Sequence, residues 1–341
     1  MQTHARPCLL LLAALASGDG NALNAEDQCL LHALKQAEAH TTVEALRLKC
    51  AAVPMLTSTA VAADQATPAL LPDKDTFDRN RPNYTRYALL PYKPIYVLPF
   101  SYNKHPNEDP FKTGISGQEH LDHTEIKFQI SMQVPLALDL IGDNGDLMLG
   151  YTQVSWWQAY NNDISSPFRE TNYEPELFID FTNDFEWQGF INSNIQFGFN
   201  HQSNGRGGDQ SRSWNRIFAN AIIKKENWLF SIKPWWRIPE ESKSYPGDPT
   251  GDDNPDMDDY MGYGDFLTIY REGNHTASML LRNNLRTSGN KGAIQLDWSF
   301  PVSKRLRGHV QYFNGYGESL IDYDVSSDRF SIGFEFTDWL L

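Results

Sequence analysis

The stretch EIKFQISMQVPL, residues 125–136, decides the fold class because its apolar and polar residues alternate. One set of alternate positions is apolar: Ile126, Phe128, Ile130, Met132 and Val134. The other set is polar: Glu125, Lys127, Gln129, Ser131 and Gln133. A period of two puts each set on its own side of a β-sheet, so the stretch predicts a strand with one apolar and one polar face.

The same alternation recurs after residue 90 and ends the chain, where Phe330, Ile332, Phe334 and Phe336 alternate with smaller or polar residues. Strands are expected near residues 93–101, 124–136, 146–158, 171–181, 187–202, 213–224, 227–238, 260–271, 275–286, 291–302, 305–314 and 328–340. These are about 12 strands, and an even number allows closure with both chain ends on one side. The sequence therefore predicts an all-β, 12-stranded antiparallel barrel.

A soluble β-sandwich would also show alternation, so a membrane location needs separate support. The polar faces carry too many charges and amides for a packed core. The chain has 9 Trp and 15 Tyr, which suit aromatic girdles at the two membrane interfaces. Long connections fall at every second position between strands. Together these features predict a multi-pass transmembrane barrel of the bacterial outer membrane.

The N-terminal part of the chain differs in composition from the barrel. Residues 1–25 contain a short apolar run followed by small residues, which predicts a cleaved secretory signal. Residues 26–79 are expected to form a periplasmic extension with short helices and a linker, and residues 80–341 the barrel domain. Cys29 and Cys50 either form a disulfide in an oxidising compartment or remain two thiols.

Charge and hydropathy exclude two further classes of protein. The formal net charge of −14 argues against a nucleic-acid partner, because such proteins carry a basic surface that neutralises phosphates. No segment offers about 20 consecutive apolar residues, so an inner-membrane helical protein is not expected.

The segment 188–203 combines strand alternation with residues that can carry chemistry. Its odd positions are mostly apolar, and His201 and Ser203 continue that side at the strand's end. On the next expected strand, Asn215 also falls on the apolar side. A serine, a histidine and an amide on one outward patch match nucleophile, general base and orienting group. Alternatively, these polar residues mark the level at which lipid gives way to water.

The motifs HQSNGR (201–206) and SRSWNR (211–216) resemble the active-site signature of the outer-membrane phospholipase A family. Further stretches resemble the same family: 151–158, 165–175, 252–256 and 315–323. The resemblance covers roughly residues 80–341. It implies a barrel that hydrolyses acyl esters of phospholipids and lysophospholipids at both acyl positions, as a calcium-bound homodimer.

The resemblance also implies a role for individual residues. Ser203 would attack the ester carbonyl, and His201 would accept its proton and later return it to the leaving alcohol. Asn215 would hold the imidazole in the right tautomer. The backbone N–H of Gly205 would stabilise the oxyanion together with calcium-bound water.

For calcium, the resemblance implies oxygen ligands from two subunits. The carbonyl of Arg206 and the hydroxyl of Ser211 would come from one subunit, and Ser165 from the other. Asp253 would belong to an alternative site in the monomer. So few charged ligands predict weak affinity unless a dimer assembles the site. Gln153, a polar residue among outward apolar positions, is assigned to the dimer interface.

Two other functions remain open at this point. In a porin or structural barrel, His201 and Ser203 would be incidental, although a porin would direct its functional polar residues into the lumen. An adhesin or receptor barrel would act through its long loops, and its binding would survive replacement of Ser203. The chain contains no G-x-S-x-G motif, so a soluble α/β-hydrolase is not supported.

Overall fold

The computed structural model describes residues 84–112, 120–245, 251–303 and 306–339. The strands in this part of the chain are β1 (Leu90–Pro91), β2 (Ile95–Asn103), β3 (Thr124–Ala137), β4 (Asp146–Trp157), β5 (Phe168–Trp187), β6 (Phe190–Ser203), β7 (Ser213–Lys225), β8 (Trp228–Arg237), β9 (Gly264–Glu272), β10 (His275–Asn283), β11 (Gly292–Ser303), β12 (Leu306–Gly315) and β13 (Ser327–Thr337). A short helix, α1 (Met257–Met261), precedes β9. No helix in the described part of the chain is long and apolar enough to cross a membrane. The predicted signal, the extension, Cys29 and Cys50 lie outside the described residues.

The strands form one antiparallel sheet that closes on itself. Neighbours follow chain order from β4 to β13, β13 pairs with β2, and β2 pairs with β3. Strand β3 then pairs with β4, which closes the circle. The two-residue β1 pairs with β3 as well, so the wall consists of the 12 strands β2 to β13. The predicted fold class is confirmed.

Short and long connections lie at opposite ends of the barrel. At one end, the turns 188–189, 226–227 and 273–274 have two residues each, and the connection 138–145 has eight. At the other end, the connections include 104–123, 158–167, 204–212, 238–263 and 316–326. This confirms the predicted alternation. An outer-membrane barrel keeps its short turns in the periplasm and its long loops outside, so the second set faces the exterior.

The predicted bounds of β5 and β6 were wrong. Strand β5 runs on to Trp187, well beyond the expected range 171–181, and β6 begins at Phe190 instead of near 187. Gln188 and Gly189 form the tight turn between them, with φ of 52° and 77°. Two successive positive φ values are typical of the type I′ hairpin turn, whose twist matches that of the strands.

The predicted start of β9 was also wrong. Residues 257–261 form α1, and the strand begins only at Gly264 instead of near 260. Met257 and Met261 are one helical turn apart and both buried, so the helix directs this pair to one apolar contact surface. A helix of one turn gives too short a pattern to separate from strand alternation.

The two faces of the wall differ as the alternation predicts. Glu125 and Lys127 of β3 are at most 2% exposed in the interior, whereas Ile130 is 39% exposed on the outer surface. Exposed aromatic side chains lie near both ends of the wall: Tyr102, Phe168, Tyr173 and Trp236 near the long loops, and Trp187, Trp228 and Trp298 near the short turns. This arrangement is typical of interfacial girdles.

The buried charges at the long-loop end are paired with one another. Arg169 donates to Glu125 at 3.0 Å and to Asp322 at 2.6 Å. Arg329 contacts Glu125 and Glu318, each at 2.8 Å. We call this group, with Lys127, the Arg169 network. It ties β3, β5 and β13 to the connection between β12 and β13, directly below the loops that carry the candidate site.

Candidate active site

The last residues of β6 divide between the two faces of the wall. Asn200 is 1% exposed in the interior, and Phe199 is 42% exposed on the outer surface. His201 and Ser203 follow Phe199 at intervals of two, so they lie on the outer face. The structure thus places the predicted base and nucleophile on one side of the strand, at the long-loop end of the barrel.

Strand β7 brings Asn215 directly opposite His201. The Asn215 Oδ1 atom lies 2.8 Å from His201 Nδ1. An amide oxygen only accepts hydrogen bonds, so Nδ1 is the donor and carries the proton. In a neutral imidazole this leaves Nε2 unprotonated and able to accept a proton from a hydroxyl.

Ser203 lies opposite Ser213 of β7 and Tyr173 of β5. Among the described residues, no hydrogen bond joins the Ser203 hydroxyl to the His201 ring. Such bonds are often long in substrate-free enzymes and tighten when substrate binds. The arrangement can support nucleophilic attack once the hydroxyl turns towards Nε2.

The connection after β6, residues 204–212, is closed around the side chain of Asn204. Its Oδ1 accepts from the backbone N–H groups of Arg206 at 3.2 Å and Arg212 at 3.0 Å. Its Nδ2 donates to the carbonyl of Gln210 at 2.8 Å. Three hydrogen bonds from one buried side chain fix the shape of this loop beside the site.

Gly205 adopts a conformation that favours glycine. Its φ is +66°, and a Cβ atom there would lie 3.3 Å from the Tyr173 ring. Within the described residues, its backbone N–H makes no hydrogen bond. This N–H, two residues beyond Ser203, can therefore donate to another group.

The side chain of Arg206 holds the same loop against β5. Its Nε donates to Glu170 at 3.1 Å, and its Nη2 donates to the carbonyl of Arg169 at 2.5 Å. These hydrogen bonds engage the guanidinium group of Arg206. The predicted metal ligand is a different part of the residue, its backbone carbonyl. The loop is thereby coupled to the Arg169 network.

Ser211 and Asp253, two predicted calcium ligands, lie together although 42 residues separate them in sequence. The Ser211 hydroxyl donates to Asp253 Oδ2 at 2.5 Å. The other carboxylate oxygen of Asp253 pairs with Lys243. Hydroxyl and carboxylate oxygens suit calcium, so the donor set fits that ion. Within the described ranges, however, no three His, Cys, Asp or Glu side chains form a cluster suited to a metal.

Two neighbouring carboxylates of the same connection, Asp252 and Asp258, differ in their surroundings. Arg237 Nη2 donates to both carboxylate oxygens of Asp252, at 2.7 and 2.8 Å. In α1, burial raises the pKa of the Asp258 carboxyl, and the positive charge of Arg237 opposes the shift. Within the described residues, Asp253 is the carboxylate of this stretch that accepts a hydrogen bond from Ser211, in the loop that follows Ser203.

The structure does not bring Ser165 to the other predicted ligands. It lies in the connection between β4 and β5, where Ser165 and Ser166 have φ of 63° and 51°. None of the contacts in the described part of the chain joins Ser165 to Ser211 or Asp253. A single copy of the chain thus assembles only part of the predicted oxygen set.

Gln153, the predicted interface residue, lies on the outer face of β4. Its Oε1 accepts from the Tyr151 hydroxyl at 3.1 Å, and its Nε2 donates to Ser155 at 3.2 Å. An amide has two lone pairs and two N–H groups, so one of each remains for another partner.

Sequence reasoning missed Glu240, which contacts the site from beyond the end of β8. Its Oε1 accepts a 3.0 Å hydrogen bond from Asn215 Nδ2. Outward residues of β8 include Trp236, and continuing that alternation past the strand leads to Glu240. The signal was present in the sequence as an extension of strand parity.

The chain is similar to proteins named phospholipase A1. The protein from Klebsiella pneumoniae is 38% identical over 252 residues, which are 74% of this chain and 83% of the relative. The protein from Escherichia coli K12 is 36% identical over 252 residues, covering 74% and 82% of the two chains. The sequence model of the phospholipase A1 family matches residues 75–336.

Two solved structures are similar as well. Outer membrane phospholipase A from Escherichia coli matches with a TM-score of 0.67 and 36% identity, over 74% of this chain and 99% of that chain. The Salmonella typhi outer membrane phospholipase dimer with bound calcium matches with a TM-score of 0.68 and 36% identity, over 78% and 97%.

Fold and relatives together define a class, the integral β-barrel enzymes of the bacterial outer membrane. The family match spans nearly all of the described barrel. Within that class, the chain belongs to the phospholipase A1 family.

Proposed function

We propose that this phospholipase A hydrolyses acyl esters of phospholipids and lysophospholipids through Ser203, His201 and Asn215, with calcium as cofactor and a homodimer as the active form. The observation that carries the proposal is the 2.8 Å contact between His201 and Asn215 on the outer face of the wall. An enzyme whose substrate is the membrane itself needs its nucleophile on that face. A porin would direct its functional polar groups into the lumen instead.

The chemistry follows from the order of the three side chains. Ser203 Oγ attacks the ester carbonyl carbon while His201 Nε2 accepts its proton. The imidazolium then gives this proton to the leaving alcohol, and an acyl group remains on Ser203. Water, activated by the same imidazole, releases the fatty acid. Asn215 keeps the proton on Nδ1 throughout, so that Nε2 is the nitrogen that exchanges protons.

The negative charge that develops on the carbonyl oxygen needs donors placed in advance. The N–H of Gly205 is available for this role in a loop fixed by Asn204. Donors of this kind contribute a large share of the rate enhancement in acyl transfer. When bound, calcium would add positive charge beside that oxygen.

The calcium ligands we propose are the carbonyl of Arg206 and the hydroxyl of Ser211, completed by Ser165 from a second copy of the chain. Asp253 would belong to an alternative site within one copy. Ser211 and Asp253 lie together, whereas Ser165 is on a separate loop, which supports a site that one copy leaves incomplete. Calcium affinity should therefore rise on association, with Gln153 at the interface.

The test is fatty acid release by purified protein in mixed micelles of detergent and phospholipid. We expect release with calcium and none after excess chelator. Ser203→Ala should remove release, because no other hydroxyl follows His201 at the same interval on that face. The matched control is Ser213→Ala, which removes a serine from the opposite position on β7 and should keep activity.

Folding of each variant is checked by its mobility on gels without heating, since folded barrels migrate differently from unfolded ones. Undiminished release by Ser203→Ala, or in excess chelator, would contradict the proposed mechanism. Equal losses in Ser203→Ala and Ser213→Ala would also count against it, because they would indicate a general disturbance of the patch.

A further inference from the structure

We infer that Glu240 is a positioning residue that fixes the orientation of the Asn215 amide. The row of side chains Ser203, His201 and Asn215 then continues, through a hydrogen bond from Asn215, to a carboxylate. This inference rests on the proposed function of Ser203 and His201. Its basis is the chain of contacts from His201 Nδ1 to Asn215 Oδ1 at 2.8 Å, and from Asn215 Nδ2 to Glu240 Oε1 at 3.0 Å.

Glu240 is held in place by the backbone that precedes it. The N–H of Ile238 donates to the carbonyl of Asn215 at 2.8 Å, which continues the pairing of β7 with β8 past Arg237. The side chain of Arg237 is inward and grips Asp252. Glu240 follows Ile238 by two residues and lies half-buried beside the amide on the outer face.

The orientation of the Asn215 amide decides whether His201 can act as a base. In the observed orientation, the amide oxygen accepts from Nδ1–H and leaves Nε2 free. A flipped amide would turn its NH₂ group towards Nδ1, which would favour the tautomer with the proton on Nε2. That tautomer cannot accept the serine proton.

Glu240 discriminates between these two orientations. A carboxylate only accepts hydrogen bonds, so it pairs with the amide NH₂ group and repels the amide oxygen. A flip would break both contacts of Asn215 and set two oxygens against each other. The hydrogen bond to a charged acceptor also polarises the amide, which strengthens its oxygen as an acceptor for the imidazolium. Glu240 thus compensates for the lack of charge on Asn215.

The test compares Glu240→Ala, Glu240→Gln and the control Glu241→Gln in the full-length protein. Glu241 is the exposed carboxylate next in sequence, so its variant removes the same charge without touching Asn215. We expect Glu240→Ala to lower kcat about 10- to 100-fold, the range for loss of a hydrogen bond to a charged group, with KM changed less than about twofold. Glu240→Gln retains an acceptor for Nδ2 and should recover part of kcat. Glu241→Gln should match the wild type.

A second measurement follows serine activation without lipid turnover. The rate of irreversible labelling of Ser203 by a long-chain alkyl sulfonyl fluoride should fall in parallel with kcat. A wild-type kcat and labelling rate in both Glu240 variants would overturn the inference. So would a change confined to KM, which would indicate lipid binding instead. If Glu240→Ala does not fold, Glu240→Gln decides alone, since it should still lower kcat several-fold.

The wild type and Ser203→Ala are run beside these variants and separate the two levels of argument. If the wild type releases no fatty acid, or Ser203→Ala releases as much as the wild type, the proposed function fails. If both behave as proposed and the Glu240 variants equal the wild type, only the role of Glu240 fails.

Discussion

Replacing Arg169 with glutamine should destabilise the barrel more than any surface charge replacement. The Arg169 side chain is 3% exposed, and its guanidinium group contacts Glu125 and Asp322. Removing one partner of a buried ion pair typically costs about 3–5 kcal/mol, because the remaining charge stays buried. Here Glu125 keeps Arg329 at 2.8 Å and Asp322 keeps Ser319 at 2.7 Å.

We therefore expect the lower end of that range, about 3 kcal/mol, for Arg169→Gln. The free energy of unfolding is measured by urea titration of protein folded into lipid vesicles, with tryptophan fluorescence as the signal. The matched control is Arg286→Gln. Its side chain is 45% exposed and pairs with Asp259 at the surface, where an ion pair contributes only about 0–1 kcal/mol.

The result that would refute this reasoning is an Arg169→Gln barrel within about 1 kcal/mol of the wild type, or no less stable than Arg286→Gln. Either outcome would mean that water reaches the interior and screens these charges. A loss near the expected value would show instead that the polar interior is a low-dielectric core.

Three further outcomes follow from the site. Asn215→Asp should lower kcat for fatty acid release at least about tenfold, because its carboxylate would face Glu240 across the present 3.0 Å contact. Adding Glu240→Gln should restore part of the loss. A single variant more active than the wild type would contradict this. Lys243→Gln should tighten calcium binding about three- to tenfold in calorimetric titration, since Asp253 loses a competing cation; unchanged affinity would show that the pair does not compete. Gly205→Ala should lower kcat about 100-fold, because alanine disfavours a φ of +66° and would move the N–H that donates to the oxyanion. The variant should still migrate as a folded barrel on unheated gels. A wild-type kcat would exclude that N–H as the donor.

Strand positions and faces could be predicted because they depend on a local pattern. The side of the wall occupied by Ser203 follows from counting in twos along β6, and Asn215 follows in the same way on β7. Counting in twos past the end of β8 leads to the outer face for Glu240, but it does not predict the contact with Asn215. Lys243 lies further into the same connection, where no period relates sequence to direction. Their partners depend on how the loop folds back over the wall.

The errors in strand bounds have the same origin. The polar residues 182–184 read as a turn in the sequence, so the expected strand ended at residue 181, whereas β5 continues through them to the turn at Gln188 and Gly189. Helix α1 is too short for helical periodicity to stand out. Local sequence patterns therefore predict the strands of the barrel wall, whereas the positions of turns and the contacts of loops depend on the three-dimensional structure.

The parity of β6 links two properties that selection could otherwise change separately. Phe199, His201 and Ser203 share one face, so the same count that keeps phenylalanine in contact with lipid keeps the site directed at the lipid. A deletion of one residue before His201 within the strand would turn the imidazole into the lumen and an amide into the bilayer. Deletions of two would preserve the face. In this strand, a shift of one residue would therefore remove both the catalytic geometry and the apolar contact with lipid, and a shift of two would keep both.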